Sequence, residues 1–124
     1  MSNKPRFIMC NCTGQCPGFA KLDLWAFLNR VREQLDVEYA ILHPQLCVDD
    51  GDRFLADIIK PGAHYIIGAC DPRMQKKMFD GIFKEKGLDM ASAVTSLDLR
   101  DMTADEAYAK VKEAVAQVSQ AQPA

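Results

Sequence analysis

The sequence contains no long apolar run, and that absence removes whole classes of protein. No stretch approaches the ~18–20 consecutive apolar residues that a membrane-spanning helix needs, so the 124 residues predict no membrane insertion. A dominant charge is also missing. Lys+Arg 15 against Asp+Glu 17 leaves a formal net charge of -2, which supplies no bulk attraction to nucleic acid or anionic lipid. No Gly-x-Gly-x-x-Gly segment or P-loop offers a nucleotide-phosphate cradle, and no serine triad or carboxylate pair suggests a hydrolase. The start of the chain reads Met1 to Arg6 followed only by the short apolar Phe7–Met9, too little for a signal-peptide core. A cytoplasmic protein with reduced thiols is the expectation. The 48% hydrophobic and 26% charged content is ordinary for one folded domain and excludes disorder.

What the chain does have is five cysteines. Their odd number argues against a closed disulfide framework. Between them the pattern alternates strand and helix. Arg6–Cys10 is short and strand-like, and Gly14, Pro17 and Gly18 mark a loop. From the N-cap candidate Asp23, Trp25, Leu28, Val31 and Leu35 recur at helical spacing and predict a core-facing stripe. Residues 37–42 read as a second strand running on towards Cys47.

Asp49, Asp50 and Asp52 precede a helix carrying Phe54, Leu55, Ile58 and Ile59, which Pro61-Gly62 ends. Residues 64–70 have the continuous apolar character of a strand buried on both faces. Asp71 and Pro72 then start a third helix, with Met78, Phe79, Ile82 and Phe83 inward and Gly87 at its end. Residues 91–99 are a fourth strand candidate, and Thr103 with Glu106 form a capping-box pattern before a last helix bearing Tyr108, Val111, Val115 and Val118. Four βα units predict an α/β fold, a four-stranded parallel sheet flanked by helices. Residues 1–118 form the expected single domain and residues 119–124 a flexible tail.

In such a sheet the carboxyl ends of the strands share one edge, where ligands bind. Cys10, Cys12, Cys47 and Cys70 all fall at or just past predicted strand ends, with Cys16 in the loop above. If the first strand stays extended, the side chains of Cys10 and Cys12 point the same way. Convergent reduced thiols can share zinc or an iron–sulfur centre, form a redox dithiol, or carry sulfane sulfur. Singly they are often small buried hydrophobes. The spacing matches neither a ferredoxin run nor a zinc knuckle, so it leaves the metal open. Asp71 reads first as a cap and, with Arg73, second as a residue that binds the cofactor. Arg73 is placed to stabilise a reduced, anionic centre or to pair with an acid, and the helix starting there would aim free N–H groups at that centre.

Taken together, Cys10-Asn11-Cys12-Thr13-Gly14, the lone Cys47, Cys70-Asp71-Pro72-Arg73, Gly87-Leu88-Asp89 and Asp98-Leu99-Arg100-Asp101 resemble, in order, motifs of one known family: the amino-terminal domain of the flavin and iron–sulfur subunit of heterodisulfide reductase. The resemblance implies a [4Fe–4S] cluster held by strand-end cysteines and relaying electrons to or from a flavoprotein or heterodisulfide-reductase-like subunit. Cys10, Cys12, Cys47 and Cys70 are then the preferred ligands, with Cys16 a replacement ligand or an accessory thiol. Three departures stand out. The family's Cys-Ser-Trp-Val-His segment is replaced by Met102-Thr103-Ala104-Asp105, Thr13 displaces a glycine, and the family's flavin and ferredoxin domains do not follow within these residues.

His43 is expected in a partly exposed loop, and His64 at the start of a strand. Trp25, Met74 and Met78 fall at core spacing, whereas Arg73, Lys76, Lys77, Lys84 and Lys86 make one helix basic on a solvated face.

Overall fold

The computed structural model describes residues 4–14 and 17–121. Four strands, β1 (Arg6–Cys10), β2 (Ala40–His43), β3 (Tyr65–Ala69) and β4 (Val94–Asp98), alternate with α1 (Leu24–Gln34), α2 (Asp49–Ile58), α3 (Pro72–Glu85), the single turn α4 (Met90–Ala93) and α5 (Ala104–Ala121). The sheet is wholly parallel, in the order β2-β1-β3-β4. The expected α/β architecture is the observed one.

Side chains alternating along the strands divide the core in two. Phe7, Met9, Ile66 and Leu99 face α1 and α5, joining Phe27, Leu28, Val31, Val111 and Val115. Ile8, Cys10, Tyr65 and Ile67 face α2 and α3, joining Leu46, Leu55, Phe79 and Phe83. All five residues of β3 are buried, as its unbroken apolar character requires of a strand covered on both faces. Each fully buried large side chain contributes roughly 1.5–3 kcal/mol.

Local signals explain most of the element ends. Asp23 accepts from the N–H of Ala26 at 3.3 Å, and Asp71 from that of Arg73 at 2.9 Å. Thr103 and Glu106 close their capping box at 3.0 and 3.3 Å. Several boundaries differ from the sequence expectation, each for a physical reason. β2 begins at Ala40 and stops at His43 because Pro44 brings no N–H to the ladder. Residues 90–93 form a helical turn instead of strand because Asp89 caps it through the Ala91 N–H. α5 runs on through Ala121, into the segment read as a tail.

Burial also corrects three side chains. Trp25 is 63% and Met74 49% exposed, because both sit in the first turn of a helix (α1 and α3), where the chain is still leaving the sheet edge. Phe27 takes the core position expected of Trp25. His43 is buried as the last residue of β2, its Nδ1 accepting from the Gln45 N–H at 3.0 Å.

Candidate thiol centre at the carboxyl edge of the sheet

The chain leaves β1 for β2 on one side and reaches β3 on the other, so the order of strands reverses between β1 and β3. In sheets of this kind ligands bind beyond the carboxyl ends of the strands at such a reversal, which here sets the position of the β1/β3 crevice. The β1 end supplies Cys10 and the β3 end leads directly into Cys70.

Cys10 is buried within the core layer under α2 and α3. Its sulfur accepts a hydrogen bond from the Leu46 N–H at 3.3 Å. Leu46 is itself fully buried, and Gly51 in the first turn of α2 lies against its backbone where a Cβ would collide with the Leu46 carbonyl. This close approach places the Leu46–Cys47 segment over Cys10. Cys47 lies four residues beyond the end of β2 rather than at it, exposed, with Gln45 Nε2 3.5 Å from its sulfur.

The extended path expected between Cys10 and Cys12 does not occur. Cys12 and Thr13 both adopt left-handed backbone, φ 51° and 59°, and residues 12–14 form a tight 3-10 turn. The turn is pinned to the β2 loop by the Thr13 N–H, which donates to the Pro44 carbonyl at 2.6 Å. Cys12 nevertheless packs against the same core layer as Cys10. Cys16 lies outside the described residues.

Cys70, part-buried, is close enough to Cys10 for the charge of one sulfur to act on the other. Burial pushes the Cys70 thiol above its ordinary value; its own backbone N–H, Arg100 and the Asp71 N–H pull the other way, while Cys10 adds to the rise. Beneath it, Gln75 is fully buried, and its Nε2 donates to the carbonyls of Cys70 (2.9 Å) and Leu97 (3.1 Å). Gln75 therefore ties the end of β3 to β4. Its Oε1 has no hydrogen-bond partner among the described residues.

Asp71 and Arg73 are less central than the sequence suggests. The Asp71 carboxyl is held below the usual range first by the Arg73 backbone N–H, the signature of a helix cap. Arg73 points away, its side chain 93% exposed and 3.3 Å from Asp71. The arginine whose charge acts on Cys70 is Arg100. Asp98 grips it through Nη2 at 2.7 Å and Nε at 3.0 Å, and also accepts its backbone N–H at 3.1 Å. The pair pushes Asp98 below the ordinary carboxylate range and Arg100 higher still.

Four described cysteines thus lie on one edge of the sheet, Cys10 at the end of β1 and Cys12, Cys47 and Cys70 in the segments that follow strands, and none forms a disulfide. Cys10 ends β1 and Cys70 directly follows β3, the strand paired beside it. Among the described residues no three His, Cys, Asp or Glu side chains are already gathered as a metal cage. Sequence reasoning singled out the thiols but missed Gln75, Leu46 and Arg100 as their supports. Arg100 carried a readable signal in Asp98-x-Arg100 at a strand end; Gln75 carried none. The chain matches no known protein-family model, and no curated protein matches it. No helix among the described residues is long and apolar enough to cross a membrane.

Proposed function

We propose that this chain is an iron–sulfur electron-transfer module, holding a [4Fe–4S] cluster at the β1/β3 crevice and exchanging single electrons with a separate flavoprotein of heterodisulfide-reductase type in the cytoplasm. The observation that carries this reading is the placement of Cys10, Cys12, Cys47 and Cys70 on one sheet edge, at the end of β1, in the turn after it, in the loop after β2 and directly after β3. Soft thiol donors outside any disulfide suit a thiolate-bound iron centre, which deprotonates its ligands on binding. Cys10 and Cys70 would hold the core side of the group, with Cys12 and Cys47 on the flanking loops. When bound, the cluster supplies one-electron chemistry at a potential set by its surroundings. The protein's own part is to hold the ligands: the Leu46 N–H orients Cys10, and Gln75 secures the Cys70 turn.

Iron and sulfide analysis with electron paramagnetic resonance on oxygen-free protein tests the proposal. About four irons and four sulfides per chain are expected for a four-cysteine cubane. Colourless protein without either element after anaerobic reconstitution refutes it, and stoichiometric zinc would do the same. The position of Cys10 and Cys70 at the ends of neighbouring strands favours one rival, a thiol/disulfide redox protein, which would instead give a mapped Cys10–Cys70 disulfide on mild oxidation and no metal.

A further inference from the structure

β4 is the last strand on its side of the sheet, and its outer edge is open. The Leu99 N–H donates inward to the Ala69 carbonyl at 3.0 Å, and along a parallel ladder successive residues turn their backbone groups to opposite sides. Thr95 and Leu97 therefore face β3, whereas Val94, Ser96 and Asp98 turn their N–H and C=O outward. Two of those outward groups are already used. The Val94 N–H donates to the Met90 carbonyl, and the Asp98 carbonyl accepts from Lys110 Nζ at 3.1 Å. The Ser96 N–H and C=O, the Asp98 N–H and the Val94 C=O have no partner among the described residues.

Natural sheets guard such an edge with charge, proline or brevity. β2, on the opposite side, is guarded: it has four residues, stops before Pro44 and runs beside a groove bordered by Arg6, Glu38, Asp57 and Lys60. In β4, Val94 to Leu97 carry neither charge nor proline. The strand is instead flanked by space on both faces. On the α5 face Thr95 borders a groove of about 410 Å³ with His64 and Val118. On the α3 face Val94 and Ser96 border one of about 220 Å³ with Lys76 and Met90.

We propose that a second copy of this chain occupies the β4 edge, the two strands pairing antiparallel about a two-fold axis at Ser96 to make one eight-stranded sheet. In this register the two Ser96 residues exchange both of their free backbone groups, and each Asp98 N–H meets the Val94 carbonyl of the other copy. The groups left facing each other, the Val94 N–H and the Asp98 carbonyl, are the two that the chain already satisfies internally. Side chains match as well. Each Thr95 stands opposite Leu97 of the other copy, so a partly buried leucine is presented to the Thr95 groove. Each Val94 stands opposite Asp98, which brings a carboxylate towards Lys76, a lysine in no salt bridge among the described residues. A foreign strand would share the ladder but not this leucine and this carboxylate at these two positions. The contact is isologous, so it closes as a dimer and does not propagate.

The test takes full-length, metal-free, reduced protein from micromolar to millimolar concentration in sedimentation equilibrium, with amide exchange by mass spectrometry at both ends of the range. Twice the chain mass is expected at the upper end. Exchange in the β4 segment should slow as concentration rises, and exchange in β2 should not change. Ser96→Pro removes an N–H that the chain itself does not use and should weaken self-association by roughly tenfold or more. Ser96→Lys sets like charges across the two-fold axis and should weaken it similarly without altering the backbone.

A monomer throughout, a dimer that survives Ser96→Pro or Ser96→Lys, or slowing in β2 rather than β4 would overturn the proposal. The wild-type concentration series needs no variant to fold. Iron has no part in it, so failure to find a cluster would strike the proposed function and leave this result standing.

Discussion

Replacing Gln75 by methionine isolates the polar tie under Cys70. Methionine keeps the length and approximate volume, so the core around Phe79 stays filled. The change removes both Nε2 hydrogen bonds, to Cys70 at 2.9 Å and Leu97 at 3.1 Å. Each loss leaves a carbonyl without this donor at a site where Gln75 is 0% exposed, at about 1–2 kcal/mol apiece. The same change also removes the buried Oε1 that has no partner among the described residues, which returns about 1 kcal/mol. The expected net loss is about 1–3 kcal/mol. For a chain of this size a loss of about 2 kcal/mol corresponds to roughly 6–10 °C in Tm. Urea denaturation is the assay, and the midpoint should fall with an unchanged m-value. Amide exchange at Arg73 and neighbouring first-turn residues of α3 should accelerate more than exchange in α5. A variant as stable as the parent, or more stable, would show that the tie contributes nothing and that Oε1 dominates.

Gly51→Ala places a methyl group against the Leu46 backbone, so overpacking should cost about 1–3 kcal/mol; loss of exchange protection at the Leu46 amide, the donor to Cys10, is the check. Trp25→Ala should change stability by less than about 0.5 kcal/mol, as for a surface site, whereas a loss above about 2 kcal/mol in the same denaturation assay would mean the indole is packed. Asp98 titrates below its unfolded value of about 3.9 because Arg100 donates to it. Its stabilisation is thus complete above pH ~4 and disappears as pH falls through the depressed folded value. The stability difference between the parent and Asp98→Asn should be flat from about pH 5 to 7 and shrink below about pH 4 in acid-denaturation curves.

The fold was largely legible because its signals are local. Apolar β3, the Asp23 and Asp71 caps and the Thr103/Glu106 box each fix an element through residues a few positions apart. The reading slipped where tertiary contacts decide. The β2 register depends on pairing with β1, which a stretch such as Val37 to Leu42 does not reveal, and Pro44 proved the stronger signal. Trp25 has helical core spacing, yet its position at the helix start leaves it outside while Phe27 goes in. The candidate site was half legible: alternation placed the cysteines on one edge, but the turn at Cys12 with φ 51° follows no composition rule. Gln75 and Arg100 acquire their roles from partners 22 and 82 positions away, at Leu97 and Gly18, and no helix or strand period encodes such pairings.

Cys10 belongs at once to the packed interior beneath α2 and α3 and to the border of the crevice. Any ligand bonded to that sulfur is therefore linked to the folding equilibrium itself: occupancy selects the native chain, and each tenfold gain in affinity is worth about 1.4 kcal/mol of apparent stability under saturating conditions. Conversely, Cys10 is only 5% exposed, so an external reagent reaches that sulfur mainly when the surrounding structure opens. For this thiol, chemical protection and structural integrity are the same quantity measured in two ways.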